Sequence, residues 1–295
     1  MEDFMDRLFI MCPCYNEEEV LMDSAKKLET VMKSLIENQK ISEDSKILFV
    51  DDGSKDKTWS LIEELKKEDK HFGGIKFSRN FGQSAALMAA YAYAAAEADM
   101  CITLDVDLQD DIAIIPDMVD AYLAGNEVVL TVRTSRGKDT FIKKSTAAMY
   151  YKFMELMDTQ IAPQHPDYRL LSKKALKALQ LFTEKNPYPR GLVPRIGFKT
   201  ATIPFERKER LAGETKYNMR KMIGLATHSI VTYSNKPLQL PIIPAAVAGI
   251  SLILPIPRAV NWIFLFLCLY VFGIYIADVK DQVYNRPVYI IDEII

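Results

Sequence analysis

In KILFVDDGSKD, residues 46–56, a run of apolar β-branched and aromatic residues stops abruptly at two acids and a turn. Ile47 to Val50 fits a buried strand, Asp51-Asp52-Gly53-Ser54 fits the turn that ends it, and a charged helical stretch follows from about Lys57 to Lys70. The same unit recurs on either side. RLFIMCPCYN (7–16) is apolar up to Pro13 and Asn16 and passes into a helical stretch from Glu17 to Gln39. GGIKFSRN (73–80) precedes an Ala-rich helix over 84–97, and MCITLDVD (100–107) reads as a fourth strand. Repeated strand and helix units imply an α/β fold, a mainly parallel sheet with helices on both faces. Ligands of such sheets bind beyond the carboxyl ends of the strands. Here those ends carry the polar groups: Asn16-Glu17-Glu18, Asp51 to Ser54, Arg79-Asn80, and Asp105 with Asp107.

The last of these ends, LDVDLQDD (104–111), holds four aspartates within seven residues. Side chains alternate along an extended strand, so Asp105, Asp107 and Gln109 are expected on one side, with Val106 and Leu108 on the other. Two carboxylates and an amide oxygen are hard ligands suited to Mg²⁺ or Mn²⁺, and a bound cation would leave positions for diphosphate oxygens. Asp110 and Asp111 precede IAIIPDMVDAYLAG and are expected to start that helix, where acids are favoured. Asp52 could accept from a ribose hydroxyl or a base N–H, although Asp-Gly-Ser is also an ordinary turn. Neither G-x-G-x-x-G nor G-x-x-x-x-G-K-[ST] occurs, which removes the dinucleotide and P-loop readings.

The chain of 295 residues has a formal net charge of -2, so it lacks the excess of cations that general nucleic-acid binding requires. Cys12, Cys14, Cys101 and Cys268 include no C-x-x-C pair and read as packing thiols of a reducing compartment. No signal peptide is expected at the N-terminus. From Pro237 to Ala277 the only formal charge is Arg258. Residues 238–257 and 259–277 are each near the roughly 20 residues that cross a bilayer core, which predicts a transmembrane hairpin turning at Pro255 to Arg258. A buried helical pair is the competing reading, but WIFLFLCLYVFGIYI (262–276) is apolar on every face. Basic residues flank both outer ends, so the positive-inside rule puts the N-terminal domain in the cytoplasm. KYNMRKMIGLATHSIVTYSNK (216–236) reads as an amphipathic helix at the interface. The expected organisation is a catalytic domain over 1–212, interface helices over 213–236, two spans over 237–277 and a cytoplasmic tail over 278–295.

Together, PCYNEEE, VDDGSKDKT, SRNFGQSAA, LDVDLQDD, DYRLLS and RLAGETKYNMRK, followed by the apolar region and NRPVYII, resemble the glycosyltransferase family 2 enzymes that load a sugar onto a polyprenyl phosphate. The resemblance implies a nucleotide-sugar-binding GT-A domain, an inverting and metal-dependent transfer, and a multi-pass protein of the cytoplasmic (inner) membrane. It implies that Pro13, Tyr15, Glu17 and Asp52 hold the nucleoside, and that Asp105, Asp107 and Gln109 hold Mg²⁺ or Mn²⁺ on the sugar diphosphate. Asp167 corresponds to the acid near the acceptor and, with Asp107, to the catalytic pair. Arg133, Arg136 and Lys143 or Lys144 would take the lipid phosphate, while Arg210 and Lys216 would close over the nucleotide. The implied partners are a nucleotide sugar, UDP-glucose first and GDP-mannose as the alternative, a polyprenyl phosphate, membrane lipids and further copies in a homo-oligomer such as a tetramer. No nucleic-acid partner is expected. A processive polysaccharide synthase would need a Gln-x-x-Arg-Trp motif, which is absent. A non-catalytic nucleotide-sugar sensor is the competing class.

Overall fold

In a computed structural model, residues 5–133, 166–205, 234, 236–239, 246 and 258–295 are described. The chain divides into two compact units, one of residues 1–138, 164–214 and 287–295, the other of 139–163 and 215–286.

The first unit is organised by a strand that is apolar almost throughout, β1 (Leu8–Cys14), of which every residue but Pro13 is buried. Continuous burial of this kind is what a parallel strand covered on both faces requires. It pairs in parallel with β2 (Lys46–Asp51) on one side and with β4 (Met100–Thr103) on the other, and β2 pairs in parallel with β3 (Phe72–Phe77). Alternate residues then serve alternate faces. Leu8, Ile10, Cys12 and Cys14 join one core cluster with Leu21, Ala25, Leu28 and Met32 of α1 (Leu21–Glu37) and with Trp59, Ile62 and Leu65 of α2 (Thr58–Glu68). Ile115, Met118 and Val119 of α4 (Ile115–Leu123) close the same side. The opposite face carries α3 (Gln83–Glu97), whose buried alanines bring it close to the strands, and Phe9 stacks there on Tyr93 at 6.1 Å. Each fully buried Leu or Ile contributes roughly 1.5–3 kcal/mol relative to exposure.

The remaining strands make the sheet mixed. β6 (Arg169–Ser172) runs antiparallel to β4 and to β5 (Val128–Arg133), and β7 (Thr200–Phe205) pairs in parallel with β5. The short helices α5 (Lys173–Leu179) and α6 (Pro189–Arg195) lie between β6 and β7 in the chain. Residues 287–295, expected to be a tail, belong to this unit: β8 (Ile291–Ile294) adds antiparallel to β3. Among the described residues the sheet order is β7-β5-β6-β4-β1-β2-β3-β8.

In the second unit one helix, α7 (Arg258–Tyr284), is described at length. The helix includes, within Ala259–Tyr284, an 18-residue stretch of mean hydropathy 2.1, and little of its apolar surface is buried, Trp262, Ile263, Phe266 and Tyr270 being exposed. At 1.5 Å per residue it is about 39 Å long, more than the roughly 30 Å of a bilayer core. It contains the second expected span and extends it by two turns. Among the described residues it is the one helix long and apolar enough to cross a membrane. The first expected span and the interface helix fall almost entirely outside the described residues.

Candidate active site

The carboxyl ends of β4, β1, β2 and β3 meet at one edge of the sheet, as parallel pairing demands. The loops leaving β1 and β2 are stitched to each other. Asn16 N–H donates to Ser54 Oγ (2.9 Å), Lys55 N–H to Asn16 Oδ1 (2.8 Å), Glu17 N–H to Thr58 Oγ1 (2.9 Å) and Lys57 N–H to Glu18 Oε2 (3.0 Å). Pro13, Tyr15 and Glu17 lie partly exposed along this seam.

The two acids of Asp51-Asp52 have different work. Asp51 Oδ1 accepts from the Ser54 N–H and hydroxyl and closes the turn, while its buried Oδ2 has no hydrogen-bond partner among the described residues. Asp52 accepts from the N–H groups of Phe81 (2.6 Å) and Gly82 (2.8 Å), so its carboxylate fixes the loop that follows β3. Burial raises the pKa of both carboxyls, against the hydrogen bonds they accept. Gly53 has φ +69°, and a Cβ there would stand 2.4 Å from the carbonyl carbon of Arg79. Only glycine lets the two loops approach so closely.

At the end of β4 the structure corrects the expected alternation. The strand stops at Thr103, and Asp105 to Leu108 form a turn in which the Leu108 N–H donates to the Asp105 carbonyl (3.2 Å) with Leu108 at φ +44°. Its antiparallel pairing ends at the same point, Thr103 lying opposite Arg169, the first residue of β6. Asp105 and Asp107 are therefore presented from a turn, both partly exposed, and Gln109 is buried beyond them with its N–H on Asp107 Oδ1 (3.3 Å). Asp105 also accepts from Gln83 Nε2 (3.0 Å). Asp111 caps the following helical turn through the Ala113 N–H, as expected. Asp110 does not: it is buried and accepts from Arg133 Nη2 at 3.3 and 3.4 Å, which also ties Arg133 into this edge.

Because β6 runs antiparallel, its amino end reaches the edge where the parallel strands finish. That brings in Asp167, whose carbonyl accepts from Thr103 Oγ1 (2.7 Å). Its carboxylate is buried between two guanidiniums: Arg169 Nη2 donates to Oδ1 (2.6 Å), and Arg190 donates to Oδ2 from Nε (3.2 Å) and Nη2 (2.8 Å). Burial works to raise this carboxyl, but Arg190 and Arg169 outweigh it and hold the pKa below the usual range. Asp105 shows the reverse. Burial first, then Asp167, Asp107 and Asp110, push its carboxyl up to about 7, with Arg190 opposing. Among the described residues four carboxylates thus face three guanidiniums, and Asp105 is left short of positive charge.

That shortage fits a divalent cation, which would take Asp105 and Asp107 as hard oxygen ligands with water and phosphate oxygens completing its shell. Among the described residues no group of three or more His, Cys, Asp or Glu side chains has the arrangement of a complete protein cage. An incomplete donor set is the usual manner of Mg²⁺ at phosphate sites. Arg136, Lys143, Lys144, Arg210 and Lys216 lie outside the described residues. The sequence reading passed over Arg169 and Arg190. Arg169, only 1% exposed in the apolar context Tyr-Arg-Leu-Leu, had a signal, since a buried arginine needs an acid partner and Asp167 is two residues away. Arg190, in Pro-Arg-Gly, had none.

The sequence model of "Glycosyl transferase family 2" matches residues 9–180. "Uncharacterized glycosyltransferase YkoT" of Bacillus subtilis (strain 168) is 39% identical over 97% of this chain and 91% of that protein. "Prophage bactoprenol glucosyl transferase homolog" of Escherichia coli (strain K12) is 34% identical over 79% of this chain and 74% of that protein. Among solved structures, glucosyl-3-phosphoglycerate synthase from Mycobacterium tuberculosis, in complex with Mn²⁺, UDP-glucose and phosphoglyceric acid, is similar at 15% identity over 77% of this chain and 78% of that one, with a TM-score of 0.48.

Proposed function

From a chain that belongs to glycosyl transferase family 2, we propose an enzyme that moves a sugar from a nucleoside diphosphate to a polyprenyl phosphate at the cytoplasmic face of a membrane. It is a glycosyltransferase; acceptor, donor, metal and membrane face are the proposed parts. The observation that carries the reading is the meeting of the Asp105–Asp107 turn with the arginine-held Asp167 at one sheet edge. The acceptor class is supported by relatives named for bactoprenol glucosyl transfer, and glucose is the first choice on the same ground, a UDP-linked donor being the choice the family resemblance suggests.

Asp105, Asp107 and Gln109 would hold Mg²⁺ or Mn²⁺ on the donor diphosphate, where the cation supplies charge stabilisation for the departing nucleotide. Pro13, Tyr15, Glu17 and Asp52 line the nucleoside side, and Asp52 does so by holding the loop over 78–83 as well as by its own carboxylate. A phosphate monoester has a second pKa of about 6, so the acceptor arrives largely dianionic at neutral pH. Its oxygen attacks the anomeric carbon as the bond to the diphosphate breaks, the electron pair leaving on the β-phosphate oxygen and the configuration inverting. No proton has to be removed from the nucleophile. This matches Asp167, which its arginines keep ionised and fully engaged, and which therefore orients Arg190 and Arg169 instead of acting as a base. Arg133, together with Arg136, Lys143 and Lys144, is proposed for the acceptor phosphate, and Arg210 and Lys216 for the nucleotide. The helix α7 is proposed to cross the membrane that holds the acceptor, as one part of the expected hairpin.

The test is transfer of labelled sugar to undecaprenyl phosphate with Mg²⁺ or Mn²⁺, from UDP-glucose and from GDP-mannose in parallel, with wild type beside Asp107→Ala. Labelled lipid from one donor, reduced at least roughly 100-fold in the variant, is the expected result. Nucleotide binding with no lipid product from any common donor would sink the enzyme reading in favour of a sensor.

A further inference from the structure

NRPVYII (285–291) follows the apolar helix, and the transfer chemistry gives it no part. From Pro287 on, the chain belongs to the first unit and lies against β3 and the loop that leaves β3. Gly74 N–H donates to the Ile295 carbonyl (3.2 Å), Ile295 N–H to the Gly74 carbonyl (3.0 Å), and Ser78 N–H to the Ile290 carbonyl (3.1 Å). The approach is tight, since a Cβ on Gly73 would stand 2.7 Å from the Ile295 carbonyl oxygen. At the end of this ladder Tyr289 stacks face to face on Phe77, with centroids 5.2 Å apart and planes 4° from parallel.

Phe77 passes the contact on. Its ring meets Phe81 edge to face at 5.8 Å, and the Arg79 guanidinium lies 4.0 Å over the Phe81 ring. The Phe81 N–H is one of the two donors to Asp52, and Gln83, two residues further on, donates to Asp105. The loop over 78–83 is thus held on one side by Asp52 and on the other by the C-terminal segment. It is also the piece of chain that joins the proposed nucleoside group to the proposed diphosphate group.

We propose that the C-terminal segment 287–295 completes the donor site, and that Tyr289 is a positioning residue for the nucleotide sugar, acting through Phe77 and Phe81 on Asp52 and Asp105. The inference rests on the donor-site reading above, and adds to it a second wall supplied from beyond the apolar helix. Tyr289 touches no substrate. Its ring sets where the loop backbone lies, and hence where both carboxylates point.

The experiment uses the full chain in detergent or nanodiscs, with Tyr289→Ala, Tyr289→Leu, Tyr289→Phe and, as a control on the exposed face of α2, Glu64→Ala. Binding of UDP and of GDP in the presence of Mn²⁺ is measured by calorimetry, and KM for nucleotide sugar and for undecaprenyl phosphate are measured separately. Loss of one stacked aromatic pair is expected to weaken nucleotide binding and raise donor KM by roughly three- to tenfold in the Ala and Leu variants. Acceptor KM and kcat at saturating donor should stay within about twofold, Phe should restore donor KM because it keeps the ring, and Glu64→Ala should match wild type. Tyr289→Leu keeps the test sound if the alanine variant does not fold. Unchanged donor KM in Tyr289→Leu, or equal loss of both KM values and kcat, overturns the proposal while the donor site stands. A wild-type protein that binds neither nucleotide overturns the donor-site reading itself, and the inference with it.

Discussion

Asp167 keeps company unusual for an acid beside a reaction centre: both its oxygens are spoken for by arginines. Its pKa is depressed in the folded state, so its contribution to stability is complete above the unfolded value of about 3.9 and is lost as the pH falls through the folded one. Arg190→Gln removes the guanidinium with the stronger hold on that carboxyl. The carboxyl then rises, acid unfolding followed by circular dichroism begins at higher pH, and kcat falls roughly 10- to 100-fold through misplacement of the remaining pair. An acid-unfolding curve and kcat identical to wild type would show that Asp167 does not depend on Arg190. Asp105 makes the complementary prediction. With its carboxyl pushed up to about 7, a cation has to displace a proton near neutrality. Mn²⁺ should therefore bind roughly tenfold more weakly at pH 6 than at pH 8, with proton release visible as buffer-dependent heat in calorimetry. A flat pH profile over that range would rule out Asp105 as a ligand.

At the scale of elements, the loops matter more than the strands they leave. Gly53 sits where the β2 turn passes beneath Arg79 and Asn80, so Gly53→Ala adds both left-handed backbone strain and a clash with main chain that cannot swing away. The expected cost is about 2–4 kcal/mol in chemical denaturation, accompanied by weaker nucleotide binding. A variant with wild-type stability would mean that the two loops do not in fact approach so closely. The same loops mark the limit of what the sequence discloses. Strand ends at 51 and 77 could be read because apolar runs meet turn residues there, and the helix starts after them because charge and periodicity change together. The end of β4 could not. LDVD continues the alternation of a strand, and the pairing that ends at Thr103 is with β6, a partner more than sixty residues away. The pairing of Arg133 with Asp110 and of Arg190 with Asp167 is hidden for the same reason: 23 residues separate each pair, and no local pattern records the meeting. The Asp111 cap, set two residues from its donor, was legible.

For the whole molecule, the long helix has the clearest consequence. Its exposed apolar side chains face every direction, which is stable only where something other than water surrounds them. Leu267→Arg with Leu269→Arg puts two charges at the middle of the apolar stretch, at about 2.5–3.5 kcal/mol each for insertion. The wild-type chain should resist extraction from membranes by alkaline carbonate and the double variant should be released. Equal retention would mean that this helix is not what holds the chain there. Beyond that helix lies the strand that closes the sheet, and its lateness has a price in time. β3 and β8 are separated by about 200 residues of chain. At a synthesis rate of about 5–20 residues per second, the outer edge of β3 waits roughly 10–40 s for its partner. Throughout that interval the growing chain exposes an unpaired strand edge, and the long apolar helix is made only towards its end. The outer edge of this sheet is therefore completed by residues made long after the strand they cover.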